Sequence, residues 1–279
     1  MNRKHSYRWF KICVGFGLFI AIAILLGLIS FLLFKGFSQL SVNFLFTPAK
    51  NFGAAGGIWF QIVGSLIIII FTAILTFPLA LGTSLYLQVL LKNRKIRTMA
   101  HQVLLVLNGV PSIVFGLFGL IFFVHLLDTG VSWLMGSIIL SIMILPMVIY
   151  SSIQSIQTIN PSYLENASAL GLNKWQIIKR VYIPNSLGGT LTGLCLGLAR
   201  AIGETAPIMF IATAFSGVEI PLGPFEPVST LPTHILALAQ EAGNPKALAN
   251  AWSAALVLIT LVFFINLLAF PFRKKAIRP

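Results

Sequence analysis

The chain has 279 residues, 57% of them apolar and only 9% charged, with 19 Lys and Arg against 6 Asp and Glu. A soluble domain carries charge on about a quarter of its residues, so this composition excludes an ordinary soluble globule. The net charge of +13 raises the question of a nucleic-acid partner, but the bases form short clusters such as Lys92–Arg97 and Arg273–Arg278 at the edges of oily runs. Anchoring to anionic headgroups accounts for clusters of that kind, and nucleic-acid binding is rejected.

The chain begins with a basic segment followed by an uncharged run from Ile12 to Phe34. That run exceeds the ~7–15 residues of a signal-peptide core, and no small-residue cleavage site follows, so a retained first span is expected. Further uncharged stretches, such as Asn51–Leu91 and Gln102–Val124, exceed the ~18 apolar residues that can cross a ~30 Å hydrocarbon core as a helix. Six helices are predicted, at about 12–34, 61–91, 102–126, 132–153, 187–215 and 251–271. The expected fold is all-α and membrane-integral. It divides into residues 1–55, with the first span and its following loop, and residues 56–279, with the other five.

Orientation follows from the bases. Fifteen of the 19 Lys and Arg lie before the first span, between the second and third, between the fourth and fifth, or after the sixth. Only Lys35, Lys50 and Lys246 fall on the other side. Basic loops stay in the cytoplasm, so both termini are expected there. Cys13 and Cys195 lie in apolar segments and read as small hydrophobes. No Cys/His cluster has metal-ligand spacing, and no metal or catalytic residue is assigned.

Two loops carry information. The 154–186 loop, on the basic side, offers a helix start at Asn160-Pro161, where proline suits a first turn, and a stop at Gly171. A second helix is expected from Lys174 to Tyr182, ending at Pro184. The predicted result is a helix–turn–helix knuckle, and an amphipathic connector lying on the membrane is the competing reading. On the opposite side, the Pro- and Gly-rich 216–250 loop predicts a short helix from about Pro232 to Glu241.

The fifth predicted span contains "LARAIGETAPIMF" (Leu198–Phe210), with Arg200 and Glu204 four apart on one helical face. A mid-membrane arginine costs at least ~2.5–3.5 kcal/mol and is tolerated beside a partner charge or a water-filled cavity. Pro207 lacks the N–H that would bond the Gly203 carbonyl, which marks a helix break beside the two charges. Asn108, Pro111 and Ser112 form a similar polar, breakable patch in the third span. Broken helices of this kind line substrate cavities. Arg200 suits bidentate contact with an oxyanion, with Ser112 and Asn108 as further donors. A buried pair that only holds the bundle together is the alternative.

The spacing of Glu165, Ala167, Gly171 and Pro184 resembles the cytoplasmic signature of ABC-importer permeases, with Asn166 in place of its middle alanine. "GGIWFQIVGSL" (Gly56–Leu66), "NGVPSIVFGLFGL" (Asn108–Leu120), "ARAIGETAPI" (Ala199–Ile208) and "STLPTHI" (Ser229–Ile235) look like the phosphate-specific (Pst) permeases of the A type. That resemblance runs from about residue 55 to 272, and departs at Gln88, where many relatives carry an acid. It implies a type I importer fold in a bacterial inner membrane, with the knuckle as the coupling helix. It also implies a homologous C-type permease partner, two copies of a separate ATPase, and an extracytoplasmic phosphate-binding protein. No G-x-x-x-x-G-K-[ST] loop is present, so ATP would bind to the partner and this chain would need no cofactor. Importers of molybdate or sulfate, an ion-coupled secondary anion carrier and a membrane scaffold are the rivals.

Overall fold

A computed structural model describes residues 3–214, 220–241 and 243–276. The chain starts in α1 (Arg3–Gly36), whose exposed apolar surface meets α12 only near its C-terminal end. There Ser253 donates to the Gly36 carbonyl at 2.7 Å and Phe31 meets Trp252 edge to face. A short α2 (Val42–Phe46), capped by Ser41, leads into a hairpin of β1 (Ala49–Lys50) and β2 (Ala55–Gly56) joined by a 3₁₀ turn. Next come α3 (Trp59–Leu85) with a π-helical end at Tyr86–Leu90, α4 (Arg94–Asn108), and α5 (Ser112–Gly119), which continues as π-helix through Leu126. The central helix is α6 (Trp133–Gln157), started by the Ser132 cap.

Beyond it lie α7 (Pro161–Ala169), α8 (Lys174–Ile177), a π-helical segment Ile178–Tyr182 and α9 (Ile183–Ala201). The chain ends with α10 (Ala206–Ile211), α11 (Leu231–Gln240) and α12 (Pro245–Ala276). Among the described residues, four helices are long and apolar enough to cross a membrane: the α1 segment Lys11–Gly36, α3 with its extension, α6, and α12. The pair α4 and α5–Leu126 passes the same criterion together, but bends by 93° at the break between them.

Two of the six predicted spans therefore take a different form. The third is broken where Gly109–Pro111 interrupts it, because Pro111 has no N–H to continue the ladder. The fifth is not one helix over 187–215. It is α9, then a break at Ile202–Thr205, then α10, and residue 215 lies outside the described residues. Its glycines, Arg200 and hydroxyls also leave α9 less oily than the other spans.

The core joins α3, α6 and α9, with α12 and α10 packed around them. Ile139, Leu140, Ile144, Val148 and Ile153 of α6 are all buried. Interleaved with them is a ladder of buried hydroxyls. Thr76 donates to Ser141 at 2.9 Å, Ser84 and Ser152 share a 2.6 Å bond, and Thr190 of α9 donates to Ser152 at 2.9 Å. Without water to satisfy them, hydroxyls in such an interior must pair with one another or with backbone. Their small size, with Gly189 and Gly193 against Ser155 and Ser151, lets α9 approach α6 closely. Pro78 and Pro146 sit inside α3 and α6 respectively.

Candidate functional site

The sequence expectation at 160–184 places a knuckle between the fourth and fifth spans, and α7 and α8 form one. Asn160 accepts from the Ser162 N–H at 3.0 Å and Pro161 occupies the first turn. At the other end, Leu172 N–H bonds the Ala167 carbonyl at 3.2 Å and Gly171 N–H bonds Ser168 at 3.0 Å. Those two bonds make a Schellman cap, which requires a left-handed residue, and Gly171 supplies it at φ +73°. Ala167 is buried at the base of α7, whereas Glu165 and Leu170 are exposed. Ile178 roots the knuckle against Leu85 of α3 and Ile156 of α6.

Pro184 departs from expectation. It does not end the second knuckle helix but sits in the first turn of α9, and the chain stays helical from Lys174 to Ala201. The π turn at Ile178–Tyr182, closed by Ile183 N–H to the Ile178 carbonyl, resets the register so that proline's missing donor falls where no i→i−4 bond is needed. Twenty-eight residues at ~1.5 Å each make a strut of about 40 Å. It runs from the knuckle to Arg200.

Arg200 closes that strut. Its Nε lies 3.4 Å from Glu204 Oε1, and Glu204 is its one hydrogen-bonding partner among the described residues. The arginine side chain is 41% exposed and that of Glu204 16%. The pair is thus presented at the surface of this chain and not locked inside the bundle. Both guanidinium Nη groups are left for another acceptor. The helix gives out directly beyond: Gly203 N–H reaches the Arg200 carbonyl and Glu204 N–H the Ala201 carbonyl, each at 3.1 Å, before α10 restarts with Pro207 in its first turn.

The second break lies alongside the first. Gly116 of α5 packs on Pro207, where an added Cβ would meet Pro207 Cα at 2.8 Å, and Gly119 packs on Ile211. The two contacts share nearly one sequence offset, so α5 and α10 run parallel. Ser112 is half-buried, and Asn108, the last residue of α4, is exposed. Neither makes a side-chain hydrogen bond to Arg200 or Glu204. The structure therefore packs together α5 and α10, the helices that follow the two breaks, and joins neither Ser112 nor Asn108 to the ion pair.

Two polar features escaped the sequence reading. Gln88, noted there only as a departure, bonds His101 at 3.2 Å and lies 3.5 Å from the Gln157 amide, which ties the ends of α3, α4 and α6. His234 of α11 is 7% exposed, and its Nε2 has no partner among the described residues. Its ring fills the space beside Gly53, whose φ of +95° and lack of a Cβ permit that approach. Burial lowers the His234 pKa from the usual 6.5 to about 4, so the ring is neutral at physiological pH. Only long-range packing creates either feature, and no local spacing signals it.

A knuckle rooted on the bundle, a strut leading to an ion pair, and two adjacent helix breaks are the parts of a transporter subunit. Residues 77–276 match the binding-protein-dependent transport system inner membrane components. The chain belongs to that family. It is a multi-pass ABC transporter permease, a membrane component and not a catalytic enzyme. Among relatives, a probable ABC transporter permease protein, YqgI, of Bacillus subtilis is 34% identical over 94% of both chains. The phosphate transport system permease protein PstA of Mycobacterium leprae is 33% identical over 80% of this chain and 73% of its own. PstA of Yersinia pestis is 31% identical over 91% and 84%.

The permease fold also matches a solved bacterial ABC transporter that imports alginate, with a TM-score of 0.65 at 14% identity over 99% of this chain and 98% of that one. The MetNI methionine transporter in an inward-facing form matches with a TM-score of 0.57 at 16% identity, over 80% and 95% respectively. At those identities the likeness concerns the fold.

Proposed function

We propose that this permease forms half of the translocation pathway of an ATP-driven importer of inorganic phosphate. The observation that carries the reading is the Arg200–Glu204 pair at the end of the strut, with the Arg200 side chain exposed and its Nη groups without a partner among the described residues. Two PstA relatives at 31–33% identity support phosphate as the cargo. In this reading a homologous C-type permease covers the exposed face of the two breaks and completes the cavity. Arg200 offers its free Nη groups to the oxyanion as a bidentate donor, and Ser112 and Asn108 add hydrogen bonds. Gly203, Pro207 and Pro111 keep the helices broken, so that polar backbone faces the cargo.

Both termini are assigned to the cytoplasm from the basic loops. Two copies of an ATPase subunit then dock on the knuckles of the permease pair, where Glu165 and Leu170 are exposed. Ala167, Gly171 and Pro184 fix the shape of this one. ATP binding draws the ATPases together, the strut transmits the displacement, and the breaks move between inward- and outward-open positions. An extracytoplasmic binding protein delivers phosphate at the far side. In this reading ATP is bound by the ATPase subunits.

Glu204 also reads the cargo, because its carboxylate accepts a hydrogen bond from the acidic proton that phosphate carries and sulfate lacks. A permease for another oxyanion is the second reading, because the YqgI name carries no substrate and the solved neighbours carry other cargo. The deciding experiment is ATP-dependent uptake of labelled phosphate by the reconstituted complex, wild type against Arg200→Ala, with sulfate as competitor. Loss of uptake with assembly and ATP hydrolysis retained supports the assignment. Unchanged uptake removes Arg200 from the pathway, and strong competition by sulfate removes phosphate as the specific cargo.

A further inference from the structure

The end of the bundle away from the knuckle carries an apolar tip. α3 and α6 lie side by side in the same direction, joined by the Thr76–Ser141 and Ser84–Ser152 bonds, and their last turns meet the knuckle at Leu85, Ile156 and Ile178. Trp133, the first residue of α6, therefore stands at the opposite end, ~37 Å away along its 25 residues. The segment "IPLGPFEPV" (Ile220–Val228) is pinned there. Trp133 Nε1–H donates to the Gly223 carbonyl and Trp133 N–H to the Glu226 carbonyl, each at 2.9 Å. Val228 N–H reaches the Ala212 carbonyl at the end of α10, also at 2.9 Å. Leu222 N–H donates to Glu226 Oε2 at 2.7 Å, which turns the segment's single charge back onto its own backbone. Pro221, Pro224 and Pro227 each restrict φ. From this frame Leu222 projects 97% exposed and Phe225 55% exposed.

A tied loop that holds a leucine and a phenylalanine out of the core forgoes their burial, and a partner that covers them meets an anchor already ordered. Charge decides the kind of partner. A segment that settles on a lipid surface adds Lys or Arg for anionic headgroups, and residues 220–228 contain neither, only Glu226. A protein surface needs no such bases. The family to which the chain belongs is binding-protein-dependent, and in the orientation proposed above this end faces the side from which that protein arrives. We infer that Leu222 and Phe225 are the apolar anchor on which the extracytoplasmic binding protein docks. The inference rests on that proposed orientation and not on phosphate as the cargo.

Photo-cross-linking in intact cells tests it, with benzoylphenylalanine in place of Leu222 in the complete transporter and the adduct identified by mass spectrometry. A soluble substrate-binding protein is the expected adduct. If that protein binds phosphate, the proposed cargo is supported as well; if it binds another solute, the anchor stands and phosphate falls. An adduct with lipid or with the second permease, or no adduct, overturns the inference. The captured binding protein is then purified and titrated against the reconstituted complex, with ATP hydrolysis as the readout. Leu222→Asp with Phe225→Ala should raise the concentration for half-maximal stimulation on the order of 10- to 100-fold, the loss expected when buried apolar side chains leave an interface. Basal hydrolysis without binding protein should keep its wild-type rate, and Leu222→Met, which preserves an apolar tip, should keep the wild-type midpoint. An unchanged midpoint in the double variant overturns the inference.

Discussion

Replacing Gly116 by Ala is the sharpest test of the two-break arrangement. The new Cβ would sit 2.8 Å from Pro207 Cα and 3.1 Å from the Phe210 ring. The phenylalanine can turn aside, but the proline Cα is backbone and cannot, so α5 and α10 must separate by about 0.6 Å to restore an ordinary ~3.4 Å contact. Overpacking of that kind costs about 1–3 kcal/mol, of which roughly 1 kcal/mol returns as helix propensity when Gly becomes Ala. Gly82 in α3 is the internal control, since a Cβ there meets nothing within 4 Å. Gly82→Ala should therefore be neutral or stabilising by about 0.5–1 kcal/mol. Thermal unfolding of the purified complex and phosphate uptake report both variants, with Gly116→Leu as an escalation that rigid packing cannot absorb. We expect Gly116→Ala to unfold earlier than Gly82→Ala and to lose uptake. If Gly116→Leu kept wild-type unfolding and uptake, α5 and α10 would not pack in this register, and the juxtaposition of the breaks would fall with it.

Three further outcomes are expected. Because the folded pKa of His234 is depressed to about 4, its contribution to stability is full above the unfolded value of 6.5 and is lost as pH falls towards 4. That loss reaches about 3 kcal/mol at most, and a pH series of melting temperatures should show a shallower acid slope for His234→Phe; parallel slopes would deny the titration. Gly171→Ala places a Cβ on a left-handed residue and should cost about 1 kcal/mol, lowering coupled ATP hydrolysis more than permease assembly, as read by hydrolysis rates at fixed complex concentration. Glu204→Gln keeps shape but removes the acceptor charge. An altered phosphate-to-sulfate preference in uptake would place Glu204 on the cargo, whereas unaltered preference with more ATP hydrolysed per phosphate would make it a latch on Arg200.

Several features of this permease are local and were legible in the residues. The knuckle follows from Asn160-Pro161 and Gly171, whose capping chemistry acts within a few positions. The short helix of the 216–250 loop, predicted at about Pro232–Glu241 and found at Leu231–Gln240, follows from its own start and stop signals. The membrane class follows from uncharged runs alone, because transfer to hydrocarbon depends on composition over one helix length. The breaks were legible as proline positions, but not their extent. The fifth span gives out at Ile202, ahead of Pro207, because the proline cannot bond back and the preceding turn frays with it.

Tertiary structure decided the rest. That α5 packs on α10 depends on Gly116 and Gly119 accepting it, a contact across about 90 positions that no local pattern encodes. That Arg200 is exposed depends on which face of α9 the Ser151 and Ser155 seam of α6 takes up. The fate of Pro184 turned on a π turn whose register is set where Ile178 packs on Leu85 and Ile156. His234 and Gln88 acquired meaning only from partners on other helices. Sequence fixes what each segment tolerates, a hydrocarbon interior, a cap or a missing donor, because those are costs borne within one or two turns. Which tolerant segments meet is settled by burial summed over the whole bundle, and in this permease that sum sets the strut, the packing of α5 on α10 and the exposure of Arg200.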